Sequence, residues 1–188
     1  MNKKMFSERL PVSLRSCVSD FKTTSWDKTN NVYMTESLLP TLNFDLIAKQ
    51  HRDDNSYVEP LSSNDAYYVT GEGERYFIEF KNGTVKSKNI NAKATASVLL
   101  AIEMGLFHDF RDVQENCTYI LVYNEEKYPQ SAQIIDNYVQ QLSHTPRQLE
   151  QVQSIRWIYK TVNSLTKKEF ERIFLREIVE PEYMAISS

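Results

Sequence analysis

The chain has 188 residues, 41% of them hydrophobic and 25% charged, with a formal net charge of −3. That length can bury one real hydrophobic core, and eleven Tyr and nine Phe with few Gly and Pro argue against disorder and against a loop-dominated scaffold. No run of 18 or more apolar residues exists, so the sequence predicts no membrane span. A strong sequence-independent nucleic-acid binder is usually basic, and the total charge gives no such field.

The opening segment from Met1 to Arg9 has basic residues without an apolar stretch behind them, so no secretory signal is expected. Cys17 and Cys117 lack a nearby Cys or His at metal-ligand spacing and are expected to be free thiols in a reducing cytoplasm. Leu10, Leu14, Cys17 or Val18 and Phe21 recur at helical spacing, which predicts a short amphipathic helix. A polar loop follows from Thr23 to Asn31. Leu38, Leu39, Leu42, Leu46 and Ile47 then favour a helix, which Pro40 either breaks or starts anew.

From Tyr57 the period changes to two. Tyr57 to Leu61, Ala66 to Val69 and Arg75 to Lys81 read as three strands. Gly71-Glu72-Gly73 suits a short hairpin loop, with Gly73 free to take the left-handed position. If Thr70 pairs with Glu74, then Val69 faces Arg75, Tyr67 faces Phe77 and Asp65 faces Glu79. Directly paired residues share a sheet face, so the two carboxylates converge, and Lys81, two residues past Glu79, lies on the same face. Ala92 to Phe107 carries a wide apolar stripe and predicts a helix. Cys117 to Tyr123 is nearly continuous in apolar and aromatic residues, as an interior strand would be. Strand, helix, strand implies a parallel pairing with a right-handed crossover. The rest reads as helical: Ile134 to Leu142, then a helix announced by Thr145-Pro146-Arg147-Gln148 and running to Val162, then one opened by the capping box Thr166 to Glu169 and running to Ile178.

Asp65, Glu79 and Lys81 place three charges where the pattern otherwise asks for core residues. Burying charges is costly unless they pair or hold a metal. Two facing carboxylates suit a hard divalent cation, which takes one or two protein carboxylates together with water and substrate phosphate. Lys81 beside them would orient an attacking water or neutralise a scissile phosphate. Lys81, Lys86, Lys88 and Lys93 then follow with no acidic residue among them, a cationic strip where phosphates would lie. A cross-strand salt bridge on an exposed sheet face is the plainer account of the same residues.

Asp65 followed by Ile78-Glu79-Phe80-Lys81-Asn82-Gly83 resembles the PD-(D/E)XK nuclease superfamily, with its restriction-endonuclease-like fold. The resemblance covers mainly residues 35 to 123, and Asn64 stands where that family often has Pro. It implies an α/β fold with a core of helix, three strands, helix and strand in a mixed sheet, inside one domain over 1–188. A helical part from about 130 to 180 lies outside the core. It implies Asp65, Glu79 and Lys81 as the catalytic triad, with Mg²⁺ or Mn²⁺ as cofactor. It further implies an acidic ligand on the first core helix, with Glu36 the candidate and Asp45 next. A phosphate-contacting residue after the motif would be Lys93, with Lys86 and Lys88 as alternatives. Nucleic acid is the implied partner, DNA ahead of RNA, and a homodimer would serve where two strands are cut.

Other residues carry less. His51, His108 and His144 have no partner at ligand spacing, Gly71-Glu72-Gly73 opens no helix, and Ser62-Ser63 has no nearby base. Trp26 and Trp157 read as packing residues. The leading expectation is a metal-dependent nuclease in the cytoplasm. The competing one is a binding or interaction module whose site is idle.

Overall fold

A computed structural model describes residues 3–127 and 149–184. At its centre the Gly71-Glu72-Gly73 turn joins β-strands Ala66–Val69 and Arg75–Lys81 in the register the sequence predicts: Val69 opposite Arg75, Tyr67 opposite Phe77, Ala66 opposite Ile78. Gly73 sits at φ 89°, a conformation open to glycine at no steric cost. Its N–H donates to the Thr70 carbonyl, which closes the turn.

Numbered in chain order, the strands are β1 (Val18–Asp20), β2 (Trp26–Asp27), β3 (Val32–Tyr33), β4 (Pro40–Asn43), β5 (Ala66–Val69), β6 (Arg75–Lys81), β7 (Cys117–Tyr123) and β8 (Thr161–Thr166). Six of them form one mixed sheet in the order β1-β4-β5-β6-β7-β8, while β2 and β3 make a separate hairpin. The first four sheet strands pair antiparallel, and β6, β7 and β8 pair parallel. Helices α1 (Lys3–Ser7), α2 (Phe21–Thr24), α3 (Phe44–Asp54), α4 (Ser87–Glu103) and α5 (Phe110–Asn116) are joined late in the chain by α6 (Lys167–Glu169). A π-helical stretch, Phe170–Val179, continues α6 into α7 (Glu180–Met184).

Alternation along β5 and β6 splits the core into two layers. Tyr67 and Phe77 meet Phe44 and Phe107 on one face, the side covered by α3 and α4. Tyr68, Tyr76 and Phe80 turn to the other face and pack on Phe170 and Phe174 of the π-helical stretch. Phe6 and Phe21 complete that aromatic layer against Tyr68. At the far end of the hairpin Arg9, Tyr68 and the Gly71 N–H all bind the Glu182 carboxylate.

Several expectations are corrected. Tyr57 to Leu61 is not a strand: it bends at Val58 and Glu59 and is largely exposed, with Val58 at 92%. The strand that pairs with β5 on that side is β4. Pro40 can occupy its first position, where a missing N–H costs least, and Asn43 then caps α3 by accepting from the Leu46 N–H. The meander is therefore interrupted by α3 after its first strand, a departure from the expected order of helix, three strands, helix and strand. Leu10 to Phe21 gives a 3₁₀ turn (Val12–Cys17) and edge strand β1 in place of one amphipathic helix. The loop expected from Thr23 to Asn31 holds the end of α2 and most of the β2–β3 hairpin. Helix α4 begins five residues before Ala92.

The largest correction lies late in the chain. The helix expected from Thr145 to Val162 is a 3₁₀ turn at Glu150–Ile155 followed by β8, while its start, like Ile134 to Leu142, lies outside the described residues. Thr161-Val162-Asn163-Ser164-Leu165-Thr166 buries Val162, Ser164 and Leu165, and pairing with β7 outweighs its helical-looking neighbours. The sheet thus runs past residue 123. The Thr166–Glu169 capping box forms as predicted.

Candidate functional site

Beyond Ala66↔Ile78 the antiparallel hairpin brings Asp65 beside the end of β6. The Asp65 Oδ2 atom accepts from the Phe80 N–H at 2.6 Å. Glu79 shares the α4-covered face with Phe77 and Lys81, and its side chain is fully buried. From α4, Lys93 reaches down between the two acids. Its Nζ lies 3.1 Å from Asp65 Oδ1, 2.8 Å from Glu79 Oε1 and 2.9 Å from Glu79 Oε2. Two carboxylates that share one nitrogen are necessarily neighbours. Lys81 Nζ stands further off, 3.7 Å from Glu79 Oε1.

Burial pushes the Glu79 carboxyl above its ordinary range, and the Asp65 charge adds to it, against the pull of Lys93 and Lys81. Burial also raises Asp65, opposed by Lys93 and the Phe80 N–H and reinforced by Asp45. For Lys93, burial alone would favour the neutral amine. The facing carboxylates outweigh it and hold the ammonium above its usual range.

An open cleft of about 600 Å³ leads to this cluster, with Trp26, Asp27, Asp45, Asp65, Lys81 and Lys93 in its wall. Asp45, in the first turn of α3, accepts from the Ser63 hydroxyl at 2.6 Å. Asn82, buried directly after Lys81, donates to Asp27 Oδ2 at 2.9 Å and accepts from the Asn124 amide at 2.8 Å. One amide thereby fixes the β2–β3 hairpin to the ends of β6 and β7.

Of the residues the sequence singled out, Asp65, Glu79, Lys81 and Lys93 come together. Lys93 enters as the counter-ion of both acids, which its reading as a phosphate contact did not anticipate. Glu36 does not join them. It pairs with Lys22 at 2.6 Å, is largely exposed, and lines a second cleft with Lys167 and Lys168. Asp45, the second-choice acid, is the one in the shared wall. Lys86 precedes α4 and Lys88 lies in its first turn, both exposed and outside that wall. Asn82 and Asp27 were missed, although Asn82 directly follows the motif lysine.

The donor set suits Mg²⁺ or Mn²⁺. Asp65 and Glu79 supply two carboxylates, the number Mg²⁺ commonly takes from protein, and buried Glu79 Oε1 makes no aligned hydrogen bond despite the nearby ammonium. Among the described residues no three His, Cys, Asp or Glu side chains gather into a metal cage. Among the same residues no helix is long and apolar enough to cross a membrane. No protein-family model, curated protein or solved structure matches this chain.

Proposed function

We propose that this chain is a metal-dependent nuclease that hydrolyses phosphodiester bonds, in DNA ahead of RNA, on a variant of the restriction-endonuclease-like core. One observation carries the reading: Asp65 and Glu79, from adjoining parts of one hairpin, meet on the Lys93 ammonium, with Asp65 and Lys93 in the wall of a cleft and Glu79 buried behind them. Their burial is costly and adds nothing to packing that Leu or Met would not supply, which points to use.

Asp65 and Glu79 are the residues that would hold Mg²⁺ or Mn²⁺, with Asp45 next to them. When bound there, the ion supplies acidification of a water and stabilisation of charge on the phosphate. Lys81, partly exposed in the cleft wall, places an amine where the scissile phosphate or the attacking water would lie. Lys93 keeps the two acids together and neutralised while no substrate is present. A metal held by these acids would compete with its ammonium for them.

The same Lys93 contact favours a second reading, an idle nuclease-like interaction module. An ammonium on both acids is already a complete buried ion pair. Cleavage of a mixed DNA and RNA panel with Mg²⁺ and with Mn²⁺ separates the two. Metal-dependent cutting that Glu79→Ala and Lys81→Ala abolish supports the nuclease. Equal inactivity of parent and both variants, across metals and substrates, refutes it.

A further inference from the structure

The β2–β3 hairpin stands outside the main sheet and beside the cleft. Its two aromatic residues, Trp26 and Tyr33, stack on each other at 6.0 Å with ring planes 24° apart, and they stay 41% and 37% exposed. Lys28 Nζ lies 5.7 Å from the Trp26 ring and Lys22 Nζ 4.8 Å from the Tyr33 ring. Each ring keeps more than a third of its surface in solvent, and Trp26 lines the cleft that holds Asp65 and Lys93 while Tyr33 lines the second cleft, so packing alone does not explain the pair. The other exposed aromatic pair, Phe110 and Trp157, lines neither described cleft.

The hairpin is also held in place. Asp27 accepts from the Thr29 and Asn30 N–H groups inside the turn, and from the Asn82 amide beyond it. Asn82 is the residue after Lys81. The indole is thus anchored through one side chain to the strand that carries Glu79 and Lys81.

We propose that Trp26, backed by Tyr33 and flanked by Lys28, is a platform on which an unpaired nucleobase stacks as its phosphates enter the cleft. This rests on the nuclease reading for what the cleft receives, and it names the substrate class: single-stranded nucleic acid or an unpaired end. Only unpaired bases present a free face to an aromatic ring, because a duplex stacks its bases on each other and shows proteins their edges. Lys28, which lies over the Trp26 ring, yields that face to the incoming base and turns its charge to the backbone phosphate. The stack is indifferent to sequence, since every base has a face.

The test uses Trp157→Phe, which leaves Trp26 as the sole tryptophan. Its fluorescence is titrated in EDTA with dT12, U12, an abasic 12-mer and a 12-base-pair duplex. The expected result is quenching by dT12 or U12, whichever the cleft accepts. Binding should be roughly five- to 150-fold tighter than for the abasic strand, the span for one stacked base. Trp26→Ala, read instead by the anisotropy of end-labelled based and abasic strands, removes that preference while leaving the melting temperature within a few degrees. If the variant misfolds, the abasic comparison on the parent decides alone. Equal affinity for based and abasic strands overturns the platform, and so does duplex binding that quenches as strongly. Metal-dependent cleavage without base-dependent quenching leaves the nuclease standing and the platform refuted. Base-dependent quenching with no cleavage under any metal does the reverse.

Discussion

Lys93→Met keeps the length of the side chain on α4 and removes only its charge. In the parent one ammonium serves two acids, one fully buried and the other with a side chain 15% exposed. Removing one partner of a buried ion pair costs about 3–5 kcal/mol. Glu79 is already disposed to hold a proton, which offsets part of that penalty, so a loss of about 3 kcal/mol is expected. With a urea slope of about 1–3 kcal/mol per molar, the midpoint should drop by about 1–3 M. Tryptophan fluorescence in EDTA reads it directly.

The loss should deepen as pH rises. With its pKa raised in the fold, Glu79 binds more protons folded than unfolded above the ordinary value of 4.5, so stability declines through that window. Mn²⁺ at a hundred times its dissociation constant should restore about 2.7 kcal/mol, because a metal then fills the role of the lost ammonium. A midpoint unchanged in EDTA would refute the burial argument. A loss that Mn²⁺ leaves untouched would refute the cation site.

Asp45→Asn should weaken Mn²⁺ binding severalfold by calorimetry while Glu36→Gln leaves it unchanged, because only Asp45 lines the cleft with Asp65. Asp112 accepts two hydrogen bonds from Arg75, at 2.9 and 2.8 Å, with others from Asn116 and the His108 N–H. Burial opposes them, but together they hold its carboxyl below the ordinary value. That stability is present above the unfolded pKa and vanishes as pH falls through the folded one. Asp112→Asn should therefore cost about 1.5–3 kcal/mol at pH 7 and flatten acid unfolding below about pH 4, followed by circular dichroism. Phe174→Ala empties a buried position against Phe21, Tyr68, Tyr76 and Phe170 and should cost about 3–5 kcal/mol in urea unfolding.

What the sequence disclosed was local. The Gly71-Glu72-Gly73 turn sets the hairpin register by itself, so the meeting of Asp65 and Glu79 could be counted off the chain. The strand Cys117–Tyr123 and the Thr166 capping box were equally self-contained. What escaped depended on distant partners. Pro40 to Asn43 reads as part of a helical stripe until β1 and β5 claim it from both sides, and Thr161 to Thr166 becomes a strand only through β7. Lys93 looked free in a basic strip because its two acids arrive from 14 and 28 residues away. Trp26 reads as a packing residue, and it does stack on Tyr33, yet 41% of it stays exposed, and no pattern marks a ring left outside the core.

The aromatic layer made by Phe170 and Phe174 has a consequence for how the chain is born. Some 90 residues separate Phe80 from its cover, and a ribosome adding about 5–20 residues per second needs roughly 5–20 s to supply them. Throughout that interval Tyr76 and Phe80 form an uncovered sticky surface on a nascent hairpin, and Tyr68 has only Phe6 and Phe21 against it. Versions ended before Phe170 should collect as insoluble aggregates, and chaperones that shield such surfaces during translation should raise the yield of the longer chain.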